Sequence, residues 1–348
     1  MKAKVFSIDG RNNFANNVIS ELNEISSSDE IIVSGDINVE EFSDGEMTVQ
    51  FKEYVRGHKV FLICSTNSPS NIMKLMLACD AARRASADEV VAIIPYYGYS
   101  RQDRKDGLRG AVGAKVVANM LVANGADRLI TIDLHAEQIQ GFFNMPVDHI
   151  SGWNIFLPLI KGMVDDKEVT NLTICSPDAG GVKRVNSIFK KLVSSGYSNT
   201  TMAMFSKMRD KPNEVARLDL IGDVKGRDVI IIDDIVDTAG TLCGTVDEIM
   251  KSGAKSVRAI ITHGVLSGPA IKRIYDSSIR ELIITDTLEH SYKSTPFINK
   301  ISIPIEKSEK FRIISCAPQI ARIINAVCKK RSANELKEYS NEKVKVVK

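Results

Sequence analysis

Seven short apolar runs rich in β-branched residues recur along the chain, at 60–64, 90–95, 129–133, 172–175, 229–233, 257–262 and 282–285. The gaps between them contain amphipathic segments of roughly ten to twenty residues with helical apolar spacing, the pattern of βα units around a parallel sheet. Runs without polar alternation suit strands buried on both faces. The runs also repeat in order. Val55-Arg-Gly-His-Lys-Val60 is matched 169 positions later by Val224-Lys-Gly-Arg-Asp-Val229, and Ser7-Ile-Asp9 by Ser176-Pro-Asp178 at the same offset. Ala87-Asp-Glu-Val90 answers Ala254-Lys-Ser-Val257 at 167, and Leu129-Ile-Thr-Ile-Asp133 answers Leu282-Ile-Ile-Thr-Asp286 at 153. The shrinking offset implies an insertion in the first half.

The expectation is an α/β protein of two similar domains, each a mostly parallel sheet flanked by helices. At 348 residues the chain exceeds the ~250–300 that one core sustains. The boundaries fall at 1–151 and 152–330, with a Lys-, Glu-, Ser- and Asn-rich polar tail over 331–348. Sites in such folds lie at the carboxyl ends of the strands.

Charge excludes little but demands little. With 46 basic and 43 acidic residues the net charge is +3, which calls for neither a nucleic-acid nor a membrane partner. No run approaches the ~18 uninterrupted apolar residues of a membrane span, and the start of the chain lacks a signal-peptide pattern. The six cysteines are widely spaced with no C-x-x-C pair, which points to a reducing compartment rather than to zinc or disulfides. A cytoplasmic location is expected.

The strongest chemical signal is Val229-Ile-Ile-Ile-Asp-Asp-Ile-Val-Asp-Thr-Ala-Gly-Thr241. An apolar strand ending in Asp233 and Asp234 is followed by a loop of Asp237, Thr238, Ala239, Gly240 and Thr241, which opens a helix running to a Gly253 cap. Backbone N–H groups at a helix start, with the two Thr hydroxyls, can cradle a phosphate. Gly240 lets the backbone approach it, and the two carboxylates can accept hydrogen bonds from vicinal ribose hydroxyls. A capped helix with no ligand is the bland alternative. No Walker G-x-x-x-x-G-K-[ST] is present. The segment resembles the phosphoribosyl pyrophosphate (PRPP) motif of the type I phosphoribosyltransferase fold. Its first-half counterpart, Val60-Phe-Leu-Ile-Cys-Ser-Thr-Asn-Ser-Pro69, lacks the acidic pair.

Five further segments carry a wider resemblance, from about residue 4 to 327: Phe42-Ser-Asp-Gly-Glu46, Ser100-Arg-Gln-Asp-Arg-Lys105, Asp133-Leu-His-Ala-Glu-Gln-Ile-Gln-Gly-Phe-Phe143, Ser176-Pro-Asp-Ala-Gly-Gly181 and Thr262-His-Gly264. Together they resemble the ribose-phosphate pyrophosphokinase family. That resemblance implies transfer of the β,γ-diphosphoryl group of Mg·ATP to the 1-hydroxyl of ribose 5-phosphate, giving PRPP and AMP for nucleotide biosynthesis. It implies ATP contacts from Phe42, Asp44, Glu46, Arg101 and Gln102, and a magnesium site at His135 and Asp178. It places Lys207 and Arg209 on a catalytic loop between Phe205 and Val215. Arg209, Asp233, Asp234 and residues 237–241 would hold ribose 5-phosphate. A homo-oligomer, a hexamer in the family, is implied too.

The sequence departs from the regulated members of that family at Arg109-Gly-Ala-Val-Gly-Ala-Lys115 and at the Lys-rich carboxyl end. Both regions bear on oligomer contacts and on the ADP/phosphate effector site in those members, so the resemblance does not by itself imply phosphate activation or ADP inhibition. Two other readings compete. A phosphoribosyltransferase would share the PRPP loop but not the duplication or the Arg101-Gln102 segment. A non-catalytic partner of the synthetase would have lost site residues that are kept here.

Overall fold

The computed structural model describes residues 2–26, 31–105, 107–208, 217–290, 305, 308–331 and 345–346. Two compact units divide the chain: Met1–Ser151 with Cys316–Glu338, and Gly152–Ser315 with Tyr339–Lys348.

The first unit runs β1 (Lys2–Ser7), α1 (Asn12–Ile25), β2 (Ile31–Ser34), β3 (Ile37–Glu41), β4 (Met47–Phe51), β5 (Lys59–Ile63), α2 (Pro69–Arg84), β6 (Glu89–Ile94), α3 (Gly113–Ala123), β7 (Arg128–Ile132) and β8 (Val147–Ile150). Six strands form a sheet in the order β2-β1-β5-β6-β7-β8, parallel throughout. β3 and β4 make a separate antiparallel hairpin.

The second unit runs α4 (Trp153–Asp165), β9 (Leu172–Ser176), α5 (Val182–Ser194), β10 (Thr201–Met208), β11 (Arg217–Ile221), β12 (Asp228–Val236), α6 (Gly240–Lys251), β13 (Ser256–Gly264), α7 (Ala270–Asp276), β14 (Glu281–Thr285) and β15 (Phe311–Ile314). Its sheet is ordered β11-β10-β9-β12-β13-β14-β15, with only β11 antiparallel. With β11 set aside, the two sheets share one strand order. β5 stands where β12 does, β6 where β13 does and β7 where β14 does, the same pairs that the sequence offsets match.

Both faces of each sheet are covered, which is why the strands read as unbroken apolar runs. In β12, Val229 and Ile231 join a core with Leu242, Val246 and Ile249 of α6, while Ile230 and Ile232 on the other face are equally buried. Truncating one such side chain to alanine costs ~2–5 kcal/mol. α6 stops as the sequence suggests: Gly253 takes φ +86, and its N–H donates to the Met250 carbonyl at 3.0 Å.

Three features differ from the sequence reading. α8 (Ala317–Cys328), assigned by pattern to the second domain, packs along α1 of the first unit. An amphipathic helix needs an apolar partner, and its pattern does not say which sheet supplies one. β12 continues to Val236, so Asp233 and Asp234 lie within the strand; β13 runs on beside it to Gly264, with Val236 opposite Gly264. In the supposed solvated tail, Val346 bridges Ile314 antiparallel and the Ser315 N–H donates to the Lys345 carbonyl.

Candidate active site

The β12–α6 junction in the second unit is built to expose donors. Ala239, at the N-cap of α6, is left-handed (φ +59) and supplies no side-chain cap. An alanine there costs ~1–2 kcal/mol that glycine would not, so surrounding contacts impose the conformation. Left-handed geometry falls on Ala239, whereas the sequence reading assigned the special backbone role to Gly240. Thr238, Gly240 and Thr241 are exposed around it. A Cβ placed on Gly240 would meet only the Arg273 Nη1 at 3.4 Å and the Thr238 Oγ1 at 4.0 Å.

Beside this loop the carboxylates face a guanidinium. Arg184, in the first turn of α5, places Nη1 3.5 Å from Asp233 Oδ1 and Nη2 3.4 Å from Asp234 Oδ1. Asp233 Oδ1 also accepts the Asp234 N–H at 2.9 Å. Burial and the adjacent Asp234 charge push the Asp233 carboxyl well above the usual carboxylate range, with Arg184 pulling it down. Asp234 is buried, whereas Asp233 keeps partial exposure.

The equivalent place in the first unit is closed. Ser65 and Thr66 after β5 are fully buried. Asp9 Oδ2 takes hydrogen bonds from Arg11 Nε at 3.0 Å and the Ser65 N–H at 2.9 Å, and Arg11 Nη2 donates to Ser65 Oγ at 3.1 Å. The α2 start is capped by its own residues: Ser68 Oγ accepts the Asn71 N–H at 3.1 Å, and Pro69 has no N–H to offer.

The amino-terminal part of the chain, residues 3–125, matches the model of the N-terminal domain of ribose phosphate pyrophosphokinase, and residues 190–324 match the phosphoribosyl synthetase-associated domain. The ribose-phosphate pyrophosphokinase of Porphyromonas gingivalis is 43% identical over 87% of this chain and 90% of that protein. That of Agrobacterium fabrum is 38% identical over 96% and 99%. The chain belongs to the ribose-phosphate pyrophosphokinase family. The phosphoribosylpyrophosphate synthetase of Mycobacterium smegmatis superposes on it with a TM-score of 0.80 at 32% identity, over 95% of this chain and all of that one.

Within this pyrophosphokinase fold the other sequence-predicted residues fall into separate groups. Phe42, Asp44 and Glu46 share the exposed tip of the β3–β4 hairpin, where the Phe42 N–H donates to the Glu46 carbonyl and Asp44 Oδ1 accepts the Glu46 N–H at 3.0 Å. Arg101 and Gln102 stand exposed on the loop after β6. Gly113 makes room for Gln102: a Cβ there would lie 2.5 Å from Gln102 Oε1. His135 is exposed just beyond β7, after a left-handed, buried Asp133 (φ +43). The turn is held from β8, where His149 Nε2 accepts the Leu134 N–H at 3.0 Å and the Ile150 carbonyl accepts the Asp133 N–H at 2.8 Å.

Asp178 sits in the tight turn between β9 and α5. Its Oδ1 accepts the Gly181 N–H at 3.0 Å, and Ser176 Oγ donates to its backbone carbonyl at 2.7 Å. This carboxylate oxygen is thus used within the turn, and α5 begins with no side-chain cap. His263, at the end of β13, is buried with Nδ1 2.9 Å from Thr287 Oγ1. Lys207 lies in strand β10, its backbone opposite Leu218, rather than in a loop; Arg209 lies outside the described residues. Among the described residues no three His, Cys, Asp or Glu side chains cluster to hold a metal. All six cysteines are free thiols, and no described helix is long and apolar enough to cross a membrane. Sequence reasoning passed over Arg184 and His149, whose roles depend on contacts between distant segments.

Proposed function

We propose that the chain catalyses attack of the ribose 5-phosphate 1-hydroxyl on the β-phosphorus of ATP, releasing AMP and forming PRPP. The observation that carries this reading is the β12–α6 junction: an uncapped, exposed helix start next to a carboxylate pair suits a sugar phosphate. The N–H groups and hydroxyls of residues 237–241 hold the 5-phosphate, and Asp233 and Asp234 accept hydrogen bonds from the ribose hydroxyls. Phe42 offers a ring face to adenine, with Asp44 and Glu46 as acceptors for its exocyclic amine. Arg101 and Gln102 contact the ATP phosphates or base.

Lys207 and Arg209 neutralise charge that develops on the transferring group. In-line alignment of the two substrates carries the rest of the rate, and no residue is required as a covalent nucleophile. Magnesium suits the donors available. This cation keeps several waters and binds through one or two carboxylates plus substrate phosphates, and His135 and Asp178 are its proposed protein contacts. When bound it supplies charge neutralisation on the phosphate oxygens. We also propose a cytoplasmic homo-oligomer.

The test is ³¹P NMR of the purified protein with ATP, Mg²⁺ and ribose 5-phosphate. AMP and a new diphosphate ester should appear together, and only with the sugar present. ADP in their place would mean γ-phosphoryl transfer and overturn the mechanism. No turnover at all would favour a non-catalytic partner of the synthetase.

A further inference from the structure

Three consecutive carbonyls of the phosphate loop are tied down from one side. The Leu266 N–H donates to the Val236 carbonyl at 3.1 Å, and the Ser267 N–H donates to that of Asp237 at 3.0 Å. The third, on Thr238, accepts from Arg273 Nη1 at 3.0 Å. The segment that supplies these donors is itself shaped for the task. Leu266 is buried at φ +51 and Gly268 takes φ +56, turning the chain from β13 back under the loop before α7 begins.

The consequence follows from the planar trans peptide. A carbonyl and the N–H of the next residue point in opposite directions, so holding the carbonyls of 236, 237 and 238 turns the N–H groups of 237, 238 and 239 the other way. These are amides that the phosphate needs. Two of the clamps are backbone donors that no substitution other than proline removes. The third is the side chain of Arg273, which is exposed, lies beside Gly240 and makes a charge-assisted bond of the stronger kind. It orients the Thr238–Ala239 peptide, the one whose alanine is left-handed, and its positive charge adds to the field at the cradle.

We propose that Arg273 is a positioning residue for ribose 5-phosphate, holding the phosphate loop through the Thr238 carbonyl. The inference rests on the reading of residues 237–241 as the 5-phosphate site. Arg273 touches no reacting atom, so its loss acts on sugar-phosphate binding rather than on ATP.

Arg273→Met and Arg273→Lys should be compared with Thr241→Val in steady-state kinetics and in ligand-dependent thermal shifts. Arg273→Met should raise the KM for ribose 5-phosphate about tenfold, the loss of one charged hydrogen bond, and leave the KM for ATP within about twofold. Arg273→Lys, which keeps the charge but not the fork, should recover part of the loss. Ribose 5-phosphate should raise the melting temperature less in Arg273→Met than in the parent, while the ATP-induced rise stays the same. An unchanged KM for ribose 5-phosphate, or an equal rise in both KM values, overturns the proposal. If Thr241→Val raises that KM while Arg273→Met does not, only the role of Arg273 fails. If neither variant raises it, the phosphate-loop reading fails as well.

Discussion

The loop after β5 and the loop after β12 occupy the same place in two sheets of the same strand order, yet one is plugged and the other open. In the first unit Arg11, Asp9 and Ser65 fill the strand ends, and Ser68 and Pro69 satisfy or remove the first N–H groups of α2. In the second, the guanidinium of Arg184 stands over two carboxylates without burying both, and α6 begins with no side-chain cap. The lesson is that a βα unit is not a phosphate site by virtue of topology. It becomes one when its helix start is left unsatisfied and the cost of doing so is met by neighbouring contacts. The same arginine–carboxylate chemistry serves packing in one unit and, in the proposed function, a ligand in the other.

Breaking the plug should have the largest effect. Arg11 and Asp9 form an ion pair with side chains 6% and 3% exposed, and the Arg11 guanidinium also stacks 4.8 Å over the Phe14 ring. Removing one partner of a buried pair strands the other charge and costs ~3–5 kcal/mol. Arg11→Met should therefore destabilise the first unit by about that much in urea unfolding. A loss under ~1 kcal/mol would show that the plug is not what closes this strand end, and the contrast between the two loops would fail.

A smaller effect is expected at the open site, and it divides stability from function. Asp233→Asn keeps the shape and removes the charge. It should raise the KM for ribose 5-phosphate roughly 10–100-fold, the range for losing a hydrogen bond to an ionised group. The pH dependence has a definite sign. Because the folded carboxyl sits above its unfolded value, the folded state holds the proton more tightly. Stability is then highest below the usual carboxylate range and declines as pH rises through the raised one. Asp233→Asn should flatten that decline. In the parent, affinity for ribose 5-phosphate should grow with pH over the same interval, since the sugar hydroxyls donate to the ionised form. Flat affinity across that interval would take Asp233 out of the sugar contact.

What was legible in the sequence follows from how far each interaction reaches along the chain. Ile230, Ile231 and Ile232 are buried on alternate faces of one strand, so the run itself announces a sheet covered on both sides. Asp233 and Asp234 are conspicuous because two charges interrupt that run. The duplication shows because the same strands recur in the same order. By contrast, Arg184 reaches Asp233 from 49 residues away and Arg273 reaches Thr238 from 35, and neither carries a local pattern that names its partner. The return of α8 to the first unit is hidden for the same reason. The left-handed turn at Ala239 could not be read either, since glycine at 240 is the residue that sequence rules favour for it.

The smallest effect is expected where the first unit closes its helix start. Ser68→Ala removes the bond to the Asn71 N–H, and losing such a cap costs ~1 kcal/mol. For a unit of this size that is a fall of ~2–4 °C in melting temperature. The variant also leaves one more N–H unsatisfied at the start of α2, which makes it resemble α6 more closely. Even so it should gain no affinity for inorganic phosphate, because Ser65 and Thr66 remain buried and Pro69 still offers no donor. Kinetic constants for both substrates should stay within about twofold. Phosphate binding that appears on uncapping would show that the cap alone keeps the first loop silent, and that the Arg11 plug is not needed for it. Measuring the phosphate-dependent melting shift of Ser68→Ala beside that of the parent separates the two.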